Sequence, residues 1–577
     1  MSKTPNYDVK VKAILDTTEP GERVCSASGQ TWFMDEQEIA MYLKFNVPPS
    51  PYHPDVRQKL HGATYTAFSW WWHKDTETGE KILTHIHPHT GFKVMKDERW
   101  YARDFAEYGC GVDLSRSFFD QLFELAQTVP LSALKNFQPP INSIARASFG
   151  DENSVFVVAS QTKHSGYCEN VLDTEDTLEA VASNHVYRSY NIVHSQRIAD
   201  CRFIRESYDC MNSWFLFDCR NCEYCFGATN KRNRKYLWWN EQLSKEEWEK
   251  RFKQIKTNSW AVLKTFQEKF HTFIHEKAVW PNAFMTHCEQ STGEYIDNCV
   301  NCKQCFCCDG AKDEIRTVWS QMHSQDNAFG VVVGSNYCYE CPVAVNSERA
   351  LFSNFVSQCQ RVEYCVECQD CEDCFGCFAL RHKKFHIFNK PYLEDEYWLL
   401  LDQIKTAMLD KGEYGRYFSG KFFHTPHDMS NGSTIYEDFT KHELDYLQIH
   451  DFDHSLDGAY GDWSEKKFDE VSNIPDDSLM IDINLFKIKA FQCPFTHRPF
   501  TYQPIELELY QVMKLPLPRE HFIKRVFDLW RELNMNVYNN GTCQKCEKDI
   551  IFAKNRLYPH RKLYCQSCYL LYLENQG

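Results

Sequence analysis

The 577-residue chain contains no apolar run that approaches the roughly 18 residues needed to span a bilayer. Its first residues, MSKTPNYDVKVKAILD, lack the apolar core of a secretory signal. It has no excess of basic charge, because 64 Lys and Arg stand against 79 Asp and Glu, a formal net charge of −15. We therefore expect a cytoplasmic protein that neither spans a membrane nor coats nucleic acid over its whole surface.

The common enzyme signatures are also missing. The chain has no Gly-x4-Gly-Lys-Ser/Thr, His-Glu-x2-His, Gly-x-Ser-x-Gly or Gly-x-Gly-x2-Gly sequence. The acidic stretch from His450 to Asp457 has Leu456 where a calcium loop needs glycine, so we expect a solvated loop there. The sequence thus names no catalytic residue and favours a protein that is not an enzyme.

Cysteine, in contrast, is abundant. Of the 27 cysteines, twenty lie between Cys168 and Cys377 and four lie near the C-terminus. Because no export signal is seen, we expect reduced thiols rather than a disulfide scaffold.

Small residues recur every six positions in the cysteine-rich region. Two series follow this hexad: Ser183, Ser189, Ser195, Cys201, Ser207, Ser213, Cys219, Cys225; and Ser335, Cys341, Ser347, Ser353, Cys359, Cys365, Cys371, Cys377. A shorter series, Gly293, Cys299 and Cys305, keeps the second phase, and an apolar or small residue stands three positions after each member.

A period of six fits neither a helix nor a single strand, but it fits a β-solenoid in which each hexad forms one short side. We predict a mainly β protein whose coils contain about 18 residues, that is three hexads, with the small residues filling the interior. The run Cys365-x2-Cys368-x2-Cys371-x2-Cys374-x2-Cys377 can also be read as a metal cluster, but the hexad alone produces its spacing.

The hexad region is duplicated, and each copy is followed by a predicted helix. CFGATNKRNRKYLWWNEQLSKEEW, starting at Cys225, matches CFGCFALRHKKFHIFNKPYLEDEY, starting at Cys374, at an offset of 149 residues. Ser244-x-x-Glu247 predicts a helix start, and a second helix is expected from about Glu394 to Met408. Such helices typically cover the open edge of a solenoid.

Two pairs of cysteines near the C-terminus have the spacing of a zinc ribbon or treble clef. Cys543-x2-Cys546 is separated from Cys565-x2-Cys568 by eighteen residues, with a hairpin predicted near Lys554 and Asn555 and a helix predicted after the second pair. Four thiolates favour Zn²⁺ in a closed, structural site. We expect one such site.

A further repeat, which we call the end repeat, links the two ends of the chain at a constant offset. Its members are Cys25, Glu38, Tyr42, Pro48, His53 and Arg57, which match Cys493, Glu506, Tyr510, Pro516, His521 and Arg525. The sequence leaves open whether the Cys25/His53 and Cys493/His521 pairs bind metal. His85, His87 and His89 form a weak metal signal and are expected to be surface residues.

These features divide the chain into a series of predicted segments. They are a degenerate zinc-ribbon-like module (1–92), a helical connector (93–150), a first solenoid part (151–243), a helical insertion (244–282), a second solenoid part (283–392), a helical and irregular connector (393–485) and a C-terminal zinc-ribbon or treble-clef module (486–577). The last segment holds 14 Lys and Arg against 8 Asp and Glu, so any contact with nucleic acid is expected there.

Several longer motifs resemble an uncharacterised cysteine-rich zinc-ribbon and solenoid family of candidate-phylum bacteria. They are the Cys374 to Asn389 sequence, the SKEE helix start at Ser244, DLSRSFFDQLFELAQTVP from Asp113, GEYGRYF from Gly412 and the Tyr-Gly-Asp-Trp that ends at Trp463. The resemblance covers nearly the whole chain and implies no activity. It does imply Cys-x2-Cys where this chain has Cys25/Ser28 and Cys493/Thr496, with second pairs at His53/Val56 and His521/Lys524.

The function that these observations favour is a structural scaffold or protein-binding protein with structural zinc. One alternative is an RNA- or ribosome-associated zinc protein that acts through residues 486–577. The other is a metal-handling or redox protein that uses Cys365 to Cys377. The sequence does not give the oligomeric state or the identity of a partner.

Overall fold

The computed structural model describes residues 2–64, 68–430, 432–452 and 467–577. The C-terminal part of the acidic stretch, from Asp453 to Asp457, lies outside these ranges, as does the Tyr-Gly-Asp-Trp sequence at Trp463. The α-helices are α1 Pro5–Asp16, α2 Glu36–Phe45, α3 Pro54–Thr64, α4 Asp97–Ala102, α5 Phe118–Thr128, α6 Lys245–Lys253, α7 Trp260–Lys277, α8 Glu394–Asp410, α9 Gly432–Ile435, α10 Lys441–Leu447, α11 Ile483–Phe486, α12 Pro504–Val512, α13 Phe522–Glu532 and α14 Gln566–Gln576.

The strands up to residue 242 are β1 Gly21–Val24, β2 Thr31–Met34, β3 Trp71–Lys74, β4 Lys81–Thr84, β5 Val94–Met95, β6 Leu131–Ser132, β7 Ile144–Arg146, β8 Val155–Lys163, β9 Gly166–Glu175, β10 Leu178–Tyr187, β11 Tyr190–Val193, β12 Gln196–Ala199, β13 Arg202–Arg205, β14 Tyr208–Met211, β15 Trp214–Phe217, β16 Phe226–Thr229, β17 Leu237–Trp238 and β18 Glu241–Gln242.

The later strands are β19 Val279–Pro281, β20 Met285–Thr286, β21 Gly293–Glu294, β22 Ile296–Asp297, β23 Cys305–Phe306, β24 Val318–Gln321, β25 Ala328–Val333, β26 Tyr339–Val345, β27 Glu348–Leu351, β28 Val356–Ser357, β29 Gln360–Glu363, β30 Glu372–Phe375, β31 Lys384–Ile387, β32 Lys390–Pro391, β33 Phe491–Gln492, β34 Pro499–Phe500, β35 Asn534–Thr542, β36 Asp549–Asn555 and β37 Lys562–Tyr564.

The chain forms two compact units, each built from two separate stretches of sequence. Unit 1 contains Met1–Ala133 and Phe284–Asp453, and unit 2 contains Leu134–Ala283 and His454–Gly577. Each unit combines one large sheet with small hairpin-and-helix modules. The molecule is therefore mixed α/β rather than mainly β, because these modules and the connectors contribute many helices.

The two large sheets contain the hexad regions. The first repeat sheet consists of β7–β18, and the second repeat sheet consists of β21 and β23–β32. Neighbouring strands run parallel, except that β17 pairs with β18 and β31 with β32 in antiparallel fashion. The structure thus confirms large strand-rich sheets in the cysteine-rich region.

The length of the repeat differs from the expected three hexads. Ile192 pairs with Ile204, and Val362 pairs with Cys374, so the chain reaches its neighbouring strand after two hexads. The backbone gives the reason: residues with positive φ recur every third position, as at Asp173, Asp176 and Glu179. Residues in this left-handed region turn the chain at short intervals. The chain therefore reaches the next paired position after two hexads and not after three.

The predicted interior positions are buried. Every serine and cysteine of both long hexad series is at most 3% exposed, as is every residue three positions later. Every second member of the series is joined by a backbone-to-side-chain hydrogen bond: the N–H of Ser195 donates to Oγ of Ser183 (3.0 Å), and the N–H of Ser207 donates to Oγ of Ser195 (3.1 Å). The small hydroxyls therefore satisfy backbone donors inside the sheet, where an unpaired group would be costly.

The first repeat sheet ends in the same way as the second, with an antiparallel hairpin followed by a helix. The predicted helix from Glu394 is confirmed as α8, and Ser244 caps α6 by accepting the N–H of Glu247 (3.2 Å). Trp248 of α6 donates from its indole nitrogen to the carbonyl of Leu237, a buried residue of the penultimate strand (3.2 Å). The helix therefore packs on the end of the first repeat sheet, as expected of an edge that needs cover.

Candidate metal centre

The four C-terminal cysteines come together in unit 2. The sulfur atoms of Cys543, Cys546, Cys565 and Cys568 all lie within 4.8 Å of one another. The first pair lies in the tight turn between β35 and β36, and the second lies at the start of α14, where Cys565 is the residue before the helix. This group can hold a metal ion, and its four soft thiol ligands are compatible with zinc.

Backbone N–H groups favour the thiolate form at this centre. Burial raises the pKa of Cys543, but backbone N–H groups of Cys565, Lys545 and Cys546 outweigh it and lower that pKa to about 6. The N–H of Cys565 lies 3.2 Å from the sulfur of Cys543. Since a thiol must lose its proton to ligate a metal, these donors prepare Cys543 for binding.

The hairpin beside this centre is not the one predicted from the sequence. A turn was expected near Lys554 and Asn555, but β36 ends there, and its antiparallel partner is β35 on the other side of the first cysteine pair. The later strand β37 instead pairs in parallel with β19, which is distant in sequence. The predicted helix after the second pair is confirmed as α14.

Three further turns have the geometry of the Cys543 turn. In that turn the N–H of Cys543 donates to the carbonyl of Lys548 and the N–H of Glu547 donates to the carbonyl of Cys543 (both 2.8 Å). Cys25, Asp75 and Cys493 make the same pair of backbone bonds to residues four and five positions later. Each turn is followed farther along the chain by a helix, α3, α4 or α13. The residue directly before that helix, which is His53, Lys96 or His521, corresponds to Cys565.

The described part of the chain therefore contains four equivalent quartets of residues, and one of these four is composed of cysteines. They are Cys25/Ser28/His53/Val56, Asp75/Thr78/Lys96/Arg99, Cys493/Thr496/His521/Lys524 and Cys543/Cys546/Cys565/Cys568. In the first three, the hydroxyl of Ser28, Thr78 or Thr496 accepts the N–H two residues later (3.3, 3.3 and 3.4 Å). A hydroxyl thus closes the turn where the fourth quartet has a thiol.

His53 and His521 act as helix caps. Nδ1 of His53 accepts the N–H of Asp55 (3.0 Å), and Nδ1 of His521 accepts the N–H of Ile523 (3.1 Å). Within the described ranges, neither histidine joins a group of three or more potential metal ligands with its cysteine. The structure thus assigns His53 and His521 a capping role, while metal binding by the Cys25/His53 and Cys493/His521 pairs stays an open question.

The Asp75 quartet escaped the sequence analysis because it contains no cysteine. The carboxylate of Asp75 accepts the N–H of Lys96 (2.9 Å), just as the sulfur of Cys543 accepts the N–H of Cys565. The guanidinium of Arg99 contacts both Asp75 (2.5 Å) and the hydroxyl of Thr78 (3.5 Å). An ion pair thus occupies the position that corresponds to the metal-binding group. The signal that could have found it is spacing, because Asp75 and Cys543 are separated by the offset of the end repeat.

Other members of the end repeat attach the terminal modules to the sheets. In unit 1, Nε of Arg57 lies 2.5 Å from a carboxylate oxygen of Glu340 in β26, and Arg57 also donates to the hydroxyl of Tyr42 (3.2 Å). In unit 2, Arg525 contacts Glu179 in β10 and donates to the hydroxyl of Tyr510 (2.8 Å). The repeat therefore encodes the same buried ion pair twice.

The Cys365 to Cys377 run lies inside the second repeat sheet. Sγ of Cys365 donates to the carbonyls of Glu363 and Cys374 (both 3.5 Å), and Sγ of Cys377 donates to those of Phe375 (3.4 Å) and His386 (3.5 Å). Burial raises the pKa of both thiols well above its usual value. Both features favour protonated, packed thiols at Cys365 and Cys377, whereas hydrogen bonds from Cys359, Cys368 and Cys374 lower the pKa of Cys371.

Two of the three histidines of the His85 to His89 sequence, which were expected at the surface, are buried. His85 is 1% exposed and His87 is 0% exposed, whereas His89 is exposed. His85 and His87 follow β4 into the core of unit 1, whereas His89 lies at the surface as expected.

The basic C-terminal segment presents fewer cations than its composition suggests. Arg498, Arg525 and Arg561 are buried, at 7%, 9% and 3% exposure. Arg525 is neutralised by Glu179, and Arg561 donates to the carbonyls of Tyr558 and Ala553. These side chains are therefore not available to phosphates.

Within the described ranges, no helix is both long enough and apolar enough to cross a membrane. Comparison of the chain with protein-family models, curated proteins and solved structures found no match.

Proposed function

We propose that this protein is a non-enzymatic scaffold, with structural zinc bound by Cys543, Cys546, Cys565 and Cys568. The observation that carries the proposal is the hydrogen bonding of the interior cysteines. Their sulfurs donate to backbone carbonyls within the sheets, as Cys201 does to Ala199 (3.2 Å) and Cys359 to Ser357 (3.3 Å). Thiols used in this way stabilise a rigid framework and are not presented to a substrate.

The framework we propose is a pair of solenoids in which each coil contains two hexads. The register of the paired strands supports it, and so do charge pairs on successive turns of the repeat. Arg188 contacts Asp200, and Arg197 contacts Asp209, each two hexads further along the chain. Stacked, regular surfaces of this kind serve typically as binding faces in repeat proteins.

The zinc role follows from the number and kind of ligands. Four thiolates complete a tetrahedral shell and leave no position for a substrate or a reactive water. Tyr569, in the first turn of α14, donates to the buried carboxylate of Asp218 in unit 2. A metal that holds the start of α14 would therefore also hold this helix against the first repeat sheet.

Metal analysis of the purified full chain tests the zinc assignment. Wild-type protein should contain one zinc equivalent more than the Cys565→Ser variant, and Cys110→Ser, which changes an exposed cysteine, should match wild type. Equal zinc in wild type and Cys565→Ser would contradict the assignment.

The same preparation separates the scaffold from the alternatives. Loss of a metal equivalent in Cys371→Ser, or visible absorption from iron or copper that disappears in this variant, would favour the metal-handling or redox function. Salt-sensitive retention on RNA, lost when exposed Lys545 and Lys548 are changed to Glu, would favour the RNA-binding function. The scaffold proposal predicts neither result.

A further inference from the structure

A second cluster of potential metal ligands lies in the core of unit 1. One ring nitrogen each of His85 and His424 and one carboxylate oxygen of Glu367 lie within 4.8 Å of one another. The three residues are 1%, 4% and 2% exposed. They come from separate parts of the chain: His85 follows β4, Glu367 lies beside the interior residue Cys368 in the second repeat sheet, and His424 follows a short 3-10 turn, Gly420–Phe422.

The surrounding backbone orients two of these side chains. Nδ1 of His85 lies 3.0 Å from the carbonyl of Ala133, so Nδ1 carries the proton and Nε2 is the nitrogen with a lone pair. One carboxylate oxygen of Glu367 accepts the N–H of Ser132 at 3.4 Å. A hydrogen bond from the second ring nitrogen of histidine to a carbonyl is the usual arrangement around a metal-bound imidazole.

The third ligand is fixed by packing. The ring of His424 makes edge contacts with the rings of Phe92, with centroids 5.1 Å apart, and His85, with centroids 5.8 Å apart. Its carbonyl accepts the N–H of His87 (2.8 Å), which ties the His424 segment to the one that contains His85. The donors are thus held in place by rigid neighbours before any ligand arrives.

We propose that His85, Glu367 and His424 bind one divalent transition-metal ion, in a site separate from the four cysteines. Two imidazoles and one carboxylate suit Zn²⁺ and Fe²⁺ and are poor ligands for Ca²⁺ or Mg²⁺, which take mainly oxygen. Three protein ligands leave at least one coordination position for a small ligand such as water.

The test uses the full chain loaded with Co²⁺ and, separately, with Zn²⁺. Glu367→Gln and His85→Ala should each lose one metal equivalent and bind Co²⁺ at this site at least about a hundredfold more weakly. The cobalt difference spectrum between wild type and Glu367→Gln should show ligand-field bands without the sulfur-to-cobalt charge transfer of the four-cysteine centre. His89→Ala, which changes the exposed histidine of the same sequence, should bind as wild type does.

Retention of the full metal complement by Glu367→Gln with wild-type circular dichroism would overturn the proposal. This variant decides the question if His85→Ala fails to fold, because glutamine preserves the size of the side chain. Cys565→Ser should keep the site in unit 1 while losing the thiolate site, so failure here and failure of the zinc scaffold are distinguishable. A Cys565→Ser protein that folds and binds no cobalt would also contradict the proposal.

Discussion

At the scale of single residues, the buried ion pairs are the most sensitive points of the molecule. Arg525 is 9% exposed and Glu179 is 2% exposed, and the pair joins α13 to the first repeat sheet. Arg525→Ala would leave the Glu179 carboxylate buried without its partner, which costs about 3–5 kcal/mol. We expect a loss of this size in the free energy of unfolding of unit 2, measured by urea denaturation.

Arg188→Ala provides the matched control for this substitution. Arg188 pairs with Asp200, but its side chain is 44% exposed, and pairs of this kind contribute less than about 1 kcal/mol. Similar losses from Arg525→Ala and Arg188→Ala would show that the buried pair does not anchor the module.

Glu169 makes the stability of unit 2 depend on pH. Burial raises its pKa to about 7, although Trp530 donates to its carboxylate (2.6 Å) and Arg146 is nearby. The folded protein therefore keeps a proton that the unfolded chain, with the usual pKa of 4.5, releases between about pH 4.5 and 7. The contribution of Glu169 to stability is complete below pH 4.5 and is lost as the pH rises to about 7.

Glu169→Gln should remove this part of the pH profile. The free energy of unfolding of wild type should fall relative to the variant by on the order of 3 kcal/mol between pH 4.5 and 7. Chemical denaturation at several pH values measures the difference, with exposed Glu152→Gln as control. A constant difference between wild type and Glu169→Gln across this range would contradict the assignment.

At the scale of elements, the four quartets share one hairpin-and-helix structure, which is held together by three kinds of side-chain interaction. Cysteines close one quartet, Asp75 and Arg99 close another by an ion pair, and hydroxyl groups with capping histidines close the other two. The same backbone turn is thus compatible with several chemistries, because the two backbone–backbone hydrogen bonds that all four turns share do not involve the side chains that differ.

If the quartets are equivalent, a lost site can be completed with few changes. Thr496→Cys together with Lys524→Cys adds two thiols to Cys493 and His521, which gives a Cys3His ligand set for zinc. We expect the double variant to bind one zinc equivalent more than wild type, measured by elemental analysis after dialysis. Each single variant lacks one ligand and should show no stable gain. A double variant that folds without the extra zinc would show that the equivalence is confined to the backbone.

The sequence predicts the repeat elements well in one respect and poorly in another. Interior positions such as Ser183 and Cys201 were readable because small residues recur at every sixth position, and all of them are buried. The coil length was not readable, because a period of six is compatible with coils of two hexads and with coils of three. The partners that fix the length pair through the backbone, which leaves little trace in residue type.

At the scale of the whole molecule, each unit combines residues from distant parts of the sequence. The N-terminal module packs in unit 1 with the second repeat sheet, and the C-terminal module packs in unit 2 with the first. A linear division of the chain does not reveal this arrangement, because partners such as Arg57 and Glu340 lie 283 residues apart. The cluster of His85, Glu367 and His424 could not be predicted from the sequence for the same reason, because its members are far apart in the chain and show no common spacing.

This division into units determines what loss of the thiolate centre should do. Cys543→Ser should release the turn between β35 and β36 and the start of α14, so that limited proteolysis cuts first between residues 534 and 577. Because the four cysteines belong to unit 2, the fragments of unit 1 should remain as resistant as in wild type. Mass spectrometry of the early fragments locates the cuts, and Cys110→Ser should give the wild-type pattern. Early cleavage of Cys543→Ser throughout both units would show that the zinc module supports the entire molecule, because a local loss of metal would then propagate through every element of the fold.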